Sequence, residues 1–162
     1  MRRVTTILTV AAVVLMTAGL VAQAKPSFAG EWKIVANPAS GGERSEPGKD
    51  LTITQSGTAM TVEHRAGGQA PAPVKLTYNL DGSVSKNMMA GGGSAPAEQL
   101  SKATWAADKL VVTSTRGAGE EKRTFSMEGD KLVVETSATT RNGGAPTVTR
   151  VTYQRYERGH GG

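Results

Sequence analysis

From Lys25 onward the chain alternates apolar and polar residues with a period of two, and no stretch of ten or more residues there carries helical period. The clearest run is Val74, Leu76, Tyr78 and Leu80, with Lys75, Thr77 and Asn79 on the opposite face. Alternation of this kind puts one face of a strand in a core and the other in water. Strands are predicted near residues 31–36, 50–55, 58–65, 74–80, 83–88, 99–107, 109–116, 121–128, 131–140 and 147–157, punctuated by Gly, Pro, Asn and Asp. Asp81-Gly82 sits between two such runs, the dipeptide of a tight type I′ hairpin, whose central residues both need positive φ. Ala107-Asp108 and Glu128-Gly129-Asp130 mark later corners.

One internal repeat gives these strands an order. Asp108-Lys109-Leu110-Val111-Val112-Thr113-Ser114 returns 22 residues later as Asp130-Lys131-Leu132-Val133-Val134-Glu135-Thr136-Ser137. Two strands of about nine residues and two tight turns have that length, so the repeat predicts successive hairpins running up and down. The predicted fold class is all-β: an antiparallel up-and-down β-barrel of about ten strands, since closure removes exposed sheet edges. A two-sheet sandwich satisfies the same periodicity.

Residues 1–24 read as a cleavable signal peptide. Arg2 and Arg3 form a positive n-region, Ile7 to Val21 is apolar, and Ala22-Gln23-Ala24 supplies the small-x-small cleavage pattern. The apolar run is short for a bilayer span and has no charged stop-transfer flank, so stable membrane insertion after cleavage is not expected. The chain has no cysteine, which removes both a lipid-anchor site and disulfide staples. Removing 24 of 162 residues leaves 138, a single-domain length: a barrel domain over 25–157 and a Gly-rich tail over 158–162. Two of the 19 basic residues leave with the leader, so 17 against 14 acidic ones give +3. That charge forms no basic run interleaved with aromatics, so a nucleic-acid partner is not expected. The predicted location is outside the cytoplasm, periplasmic or secreted. A transmembrane barrel would need aromatic girdles that seven aromatic residues do not supply.

The run Phe28-Ala29-Gly30-Glu31-Trp32-Lys33, directly after the leader, resembles the F-x-G-x-W-K start of the lipocalin and fatty-acid-binding-protein barrels, the calycin group. The resemblance implies that Gly30 and Trp32 begin the first strand and that the indole plugs one end of the barrel. It also implies that a basic residue of the last strand lies over that ring, with Arg150 and Arg155 available. The last strand is similar to the closing R-x-Y strand of fatty-acid-binding proteins, whose Arg and Tyr hold a ligand carboxylate. Here the order is reversed, as Tyr153-Gln154-Arg155. Residues two apart share a face, so Tyr153 and Arg155 can converge where Arg150 and Tyr153 cannot. The helical lid of that branch is also missing: Asn37 to Lys49 is rich in Pro, Gly and Ser and reads as an open loop.

A barrel of this size either packs solid or holds one small ligand. The predicted function is non-catalytic binding of a small hydrophobic or amphipathic molecule inside the barrel. Its candidate ligand-binding residues are Met60, Val62, Leu76, Tyr78, Phe125, Tyr153 and Arg155, with Phe28, Gly30, Trp32 and Arg150 as structural motif residues. Arg155 with Tyr153 would meet an acidic head group; the competing reading has Tyr153 in the core and Arg155 over Trp32 or in solvent. The alternative function is a solid-cored module acting through loops such as Asn37 to Lys49 or Gly91 to Glu98. A third reading, a small isomerase or cyclase, needs His64 and Tyr78 to converge. Two histidines without cysteine or clustered carboxylates make no metal site, and neither a phosphate loop nor a nucleophile elbow is present. No cofactor and no enzymatic activity are expected, and the sequence leaves the oligomeric state open.

Overall fold

A computed structural model describes residues 24–36, 50–64, 74–89, 96–117, 119–139 and 145–156. The leader before Ala24, the predicted loop at Asn37 to Lys49 and the tail containing His160 lie outside them. All ordered structure among the described residues is β-strand or turn. The strands are β1 (Gly30–Ala36), β2 (Leu51–Gln55), β3 (Ala59–His64), β4 (Val74–Asn79), β5 (Val84–Met89), β6 (Ala97–Ala106), β7 (Lys109–Arg116), β8 (Gly119–Glu128), β9 (Lys131–Ala138) and β10 (Thr147–Arg155). They build one antiparallel sheet in the order β4-β3-β2-β1-β10-β9-β8-β7-β6-β5. The fold is a nearly closed ten-stranded barrel, not a sandwich. The 22-residue repeat forms the β6–β7 and β8–β9 corners, where Ala106 pairs with Lys109 and Glu128 with Lys131.

One end of the barrel is sealed by the opening motif. The Trp32 indole is fully buried, and its Nε1 donates to the Phe28 carbonyl at 2.9 Å. The Arg155 guanidinium lies 4.6 Å from the ring centroid and donates to the Ala29 carbonyl at 2.9 Å. Trp32 and Arg155 are direct partners across the β1–β10 ladder. Gly30 leaves the space through which the guanidinium passes: a Cβ there would lie 2.5 Å from Arg155 Nη1, and its φ of +148° is one that L residues rarely adopt. Ahead of β1, Gln55 accepts from the Phe28 amide at 2.8 Å and donates to the Pro26 carbonyl at 3.2 Å. These bonds hold the Phe28 ring in the barrel, where it stacks on Trp105 (5.9 Å between centroids) and tilts against Phe125 (6.1 Å).

The basic residue over the indole is therefore Arg155, and Arg150 is corrected to a different place. Arg150 is on the outer face, where its guanidinium bridges the carboxylates of Glu128 and Glu135. Strand periodicity accounts for this: Arg150 precedes the buried Val151, whereas Arg155 shares the parity of the buried Val151 and Tyr153.

A second correction concerns Asp81-Gly82. Gly82 has φ +85°, but Asp81 is not in the left-handed region, and its carboxylate instead accepts from the Ser83 amide at 2.8 Å. The turn is an Asx turn rather than type I′. It also does not close a hairpin: β4 and β5 are the two ends of the sheet order, with no backbone ladder between them. Side chains join them instead. Asn87 Oδ1 accepts from the Thr77 amide (2.8 Å) while its Nδ2 donates to the Thr77 carbonyl (3.0 Å). The Asn79 amide donates to Ser85 Oγ at 2.8 Å. Asn87 and Ser85 are buried, so an amide and a hydroxyl replace the missing rungs.

Two substitutions test these joints. Gly30→Ala is expected to lower stability by about 2 kcal/mol, because it strains the backbone and pushes Arg155 off the indole; urea denaturation measures the loss. Asn87→Ala leaves both polar groups of Thr77 unpaired, at a cost of about 2 kcal/mol. Hydrogen exchange should then accelerate at the Thr77 amide before it does so in the β8–β9 pair.

Candidate functional site

The interior divides into a packed part and a polar part. Met60, Val62, Leu76, Tyr78, Phe125 and Tyr153 all point inward and are at most 2% exposed. A void large enough for one water would expose their surfaces, so these six fill the core rather than line a cavity. Tyr153 and Arg155 do not form a joint clamp: Tyr153 is buried, while Arg155 caps Trp32 from the sealed end.

Space opens where β5, β7 and β9 end and β6 and β8 begin. A cavity of about 330 Å³, open to solvent, is lined by Met89, Gln99, Ser114, Gly119, Glu120, Glu121, Arg123, Ala138 and Thr139. Register explains the set. Ser114 pairs with Ser101 on one side and Glu121 on the other, and Glu121 pairs with Ala138, so one inward ring runs across four strands. In β8 the inward face reads Glu121, Arg123, Phe125, Met127, polar at the mouth and apolar below. The Ser101 and Ser114 hydroxyls satisfy each other at 2.8 Å, both buried.

Arg123 is the centre of this polar part. Its side chain is 14% exposed, and its Nε lies 2.6 Å from Glu121 Oε1. Neither atom has a directed hydrogen bond, so the contact is an ion pair held by charge rather than by an aligned N–H. From β8, the Arg123 charge acts on Tyr78 of β4 and on His64 of β3. Burial pushes the Tyr78 hydroxyl up, against the opposing pull of the Arg123 cation. Burial, and then the Arg123 charge, push His64 down to about 4, so its ring is neutral at pH 7. His64 Nδ1 and Gln99 Oε1 are buried without a partner. His64 and Tyr78 themselves do not converge. Tyr78 pairs with Met60, four residues from His64 along β3, about 13 Å of strand.

The sequence reasoning missed Glu121, Arg123 and Gln99. A signal was present: Glu121 and Arg123 share the parity of Phe125 and Met127, and Gln99 that of Ala103 and Trp105.

Comparison with solved structures places the fold. The chain is similar to the fluorescent protein UnaG, with 21% identity over 80% of this chain and 97% of that one, at a TM-score of 0.56. It is similar to zebrafish ileal bile acid-binding protein, solved with cholic acid, with 18% identity over 80% and 98% and a TM-score of 0.52. It is also similar to secretory abundant heat soluble protein 4 from Ramazzottius varieornatus, with 12% identity over 80% and 94% and a TM-score of 0.53. The fold is of the calycin type. The sequence matches no protein-family model and no curated protein sequence.

The buried His64 makes stability depend on pH. Its folded pKa lies below the unfolded value near 6.5, so the unfolded state binds the extra proton in between. Its contribution is complete above about pH 6.5 and is lost as pH falls toward 4, a loss on the order of 2 kcal/mol. Urea denaturation between pH 7.5 and 4.5 is expected to show a steeper decline for the native chain than for His64→Gln.

Proposed function

We propose that the protein is an exported, non-catalytic binding protein that takes a small amphipathic molecule at the open end of its barrel. The observation that carries this reading is the cavity of about 330 Å³ with the half-buried Arg123 and the buried Gln99 in its wall. That volume falls in the range of small-molecule sites, and a few fixed polar groups beside a packed apolar core are how such sites orient a ligand. A polar head would meet Gln99, Glu121 and Arg123, while the chain would rest against Met89 at the rim. The zebrafish neighbour, solved with cholic acid, holds an amphipathic molecule on the same fold. Export is supported by the Arg2-Arg3, apolar and Ala22-Gln23-Ala24 series of the leader.

The solid core favours a second reading, in which the barrel is a rigid module presenting its loops. Ligand binding separates the two. Nile red, a neutral dye that brightens in apolar sites, is expected to bind the protein saturably at one site and to be displaced by single-chain amphiphiles. Ala138→Trp, which fills the cavity from β9, should abolish the signal while leaving the β-sheet circular dichroism unchanged. No saturable signal and no displacement across the panel would leave the rigid-module reading standing.

A further inference from the structure

We propose that this cavity selects amphiphiles whose heads donate hydrogen bonds and carry no negative charge, hydroxyl or amine heads rather than carboxylates. The inference rests on the binding reading above and names the ligand class that the wall fits. One inward carboxylate, Glu121, stands beside one guanidinium, Arg123, in that wall. The guanidinium is already taken: Arg123 Nε lies 2.6 Å from Glu121 Oε1. His64 adds no positive charge at neutral pH. An incoming carboxylate would therefore find no free cation and would have to displace Glu121 from Arg123.

The unmet need of the wall is for donors. Gln99 is 8% exposed and its Oε1 has no partner, although it lines the cavity. A buried acceptor without a donor carries a desolvation cost that a ligand hydroxyl or amine would relieve. The Ser101–Ser114 pair offers no competing site, since each hydroxyl already satisfies the other. A ligand donor therefore gains at Gln99, where a carboxylate gains nothing.

Displacement of Nile red by three probes of equal chain length, below their micelle-forming concentrations, tests this. At pH 7.5, monododecanoylglycerol and dodecylammonium are expected to displace the dye at concentrations at least about ten-fold lower than dodecanoate. Gln99→Leu should weaken monododecanoylglycerol about ten-fold and leave dodecanoate unchanged. Glu121→Gln, which frees Arg123 and removes one negative charge, should tighten dodecanoate about ten-fold. Dodecanoate binding as tightly as the neutral probe in the native protein would overturn the head-group inference, as would a Glu121→Gln variant with its probe ranking unchanged. If none of the three probes displaces the dye, binding at this site fails altogether, whereas a preference for dodecanoate leaves binding intact and removes only the selectivity. The native-chain ranking needs no variant and so stands even if a substitution impairs folding.

Discussion

The indole of Trp32 is the joint on which the closed barrel depends. It is held from three directions: its N–H is fixed by the Phe28 carbonyl, its face is covered by Arg155, and Gly30 leaves the gap that lets the guanidinium in. Each contact needs the other two. Without Gly30 the arginine has no path, and without the arginine the ring loses a cation–π contact of roughly 0.5–1 kcal/mol. The short F-x-G-x-W motif is thus a packing instruction, with every named residue touching the same ring or the chain that crosses the barrel end. Phe28 extends that joint inward, carrying it into the Trp105–Phe125 stack.

From this joint, order grades toward the opposite end. Near Trp32 the lumen is filled by Leu, Ile, Val and aromatic side chains with no exposed surface to speak of, as dense packing requires. Farther along, the same inward positions are taken by Ser, Gln, Asn, Glu and Arg. The polar set performs two tasks. Asn87 and Ser85 stand in for backbone rungs between β4 and β5, while Glu121, Arg123 and Gln99 line the cavity of about 330 Å³ at the mouth. A barrel that is rigid at one end and hydrogen-bonded by side chains at the other confines its adaptable surface to the place where a small molecule can enter.

Most of the architecture was legible because period-two alternation is a local property. All ten strands among the described residues overlap the runs predicted from alternation and turn residues, and the 22-residue repeat located two of the corners correctly. What was not legible depends on distance. Asp81-Gly82 has the residues of a hairpin, but whether two strands pair is set by the closure of the whole sheet, and closure pulled β4 and β5 apart. Arg155 rather than Arg150 covers the indole because of the β1–β10 register, which a sequence read in one direction does not contain. The interior residues were assigned to the right face, yet whether that face encloses space depends on how ten strands fill it together. Glu121 and Arg123 were hidden for a simpler reason: charged residues on strands normally face water, and here their parity with Phe125 outweighs their charge.

The pairing of β1 with β10 has a consequence for how the molecule is made. The Arg155–Ala29 hydrogen bond spans 126 residues, and β1 lies in the sheet between β2 and β10. A growing polypeptide emerging from the ribosome can form its meanders one after another, but it cannot shut the cylinder until its final ribbon arrives. The partly made product is therefore two separate ladders, β1 to β4 and β5 to β9, joined by side chains between β4 and β5. For any polypeptide that must be threaded through a narrow pore, that delay is useful: the last step to complete is the one that would jam the passage.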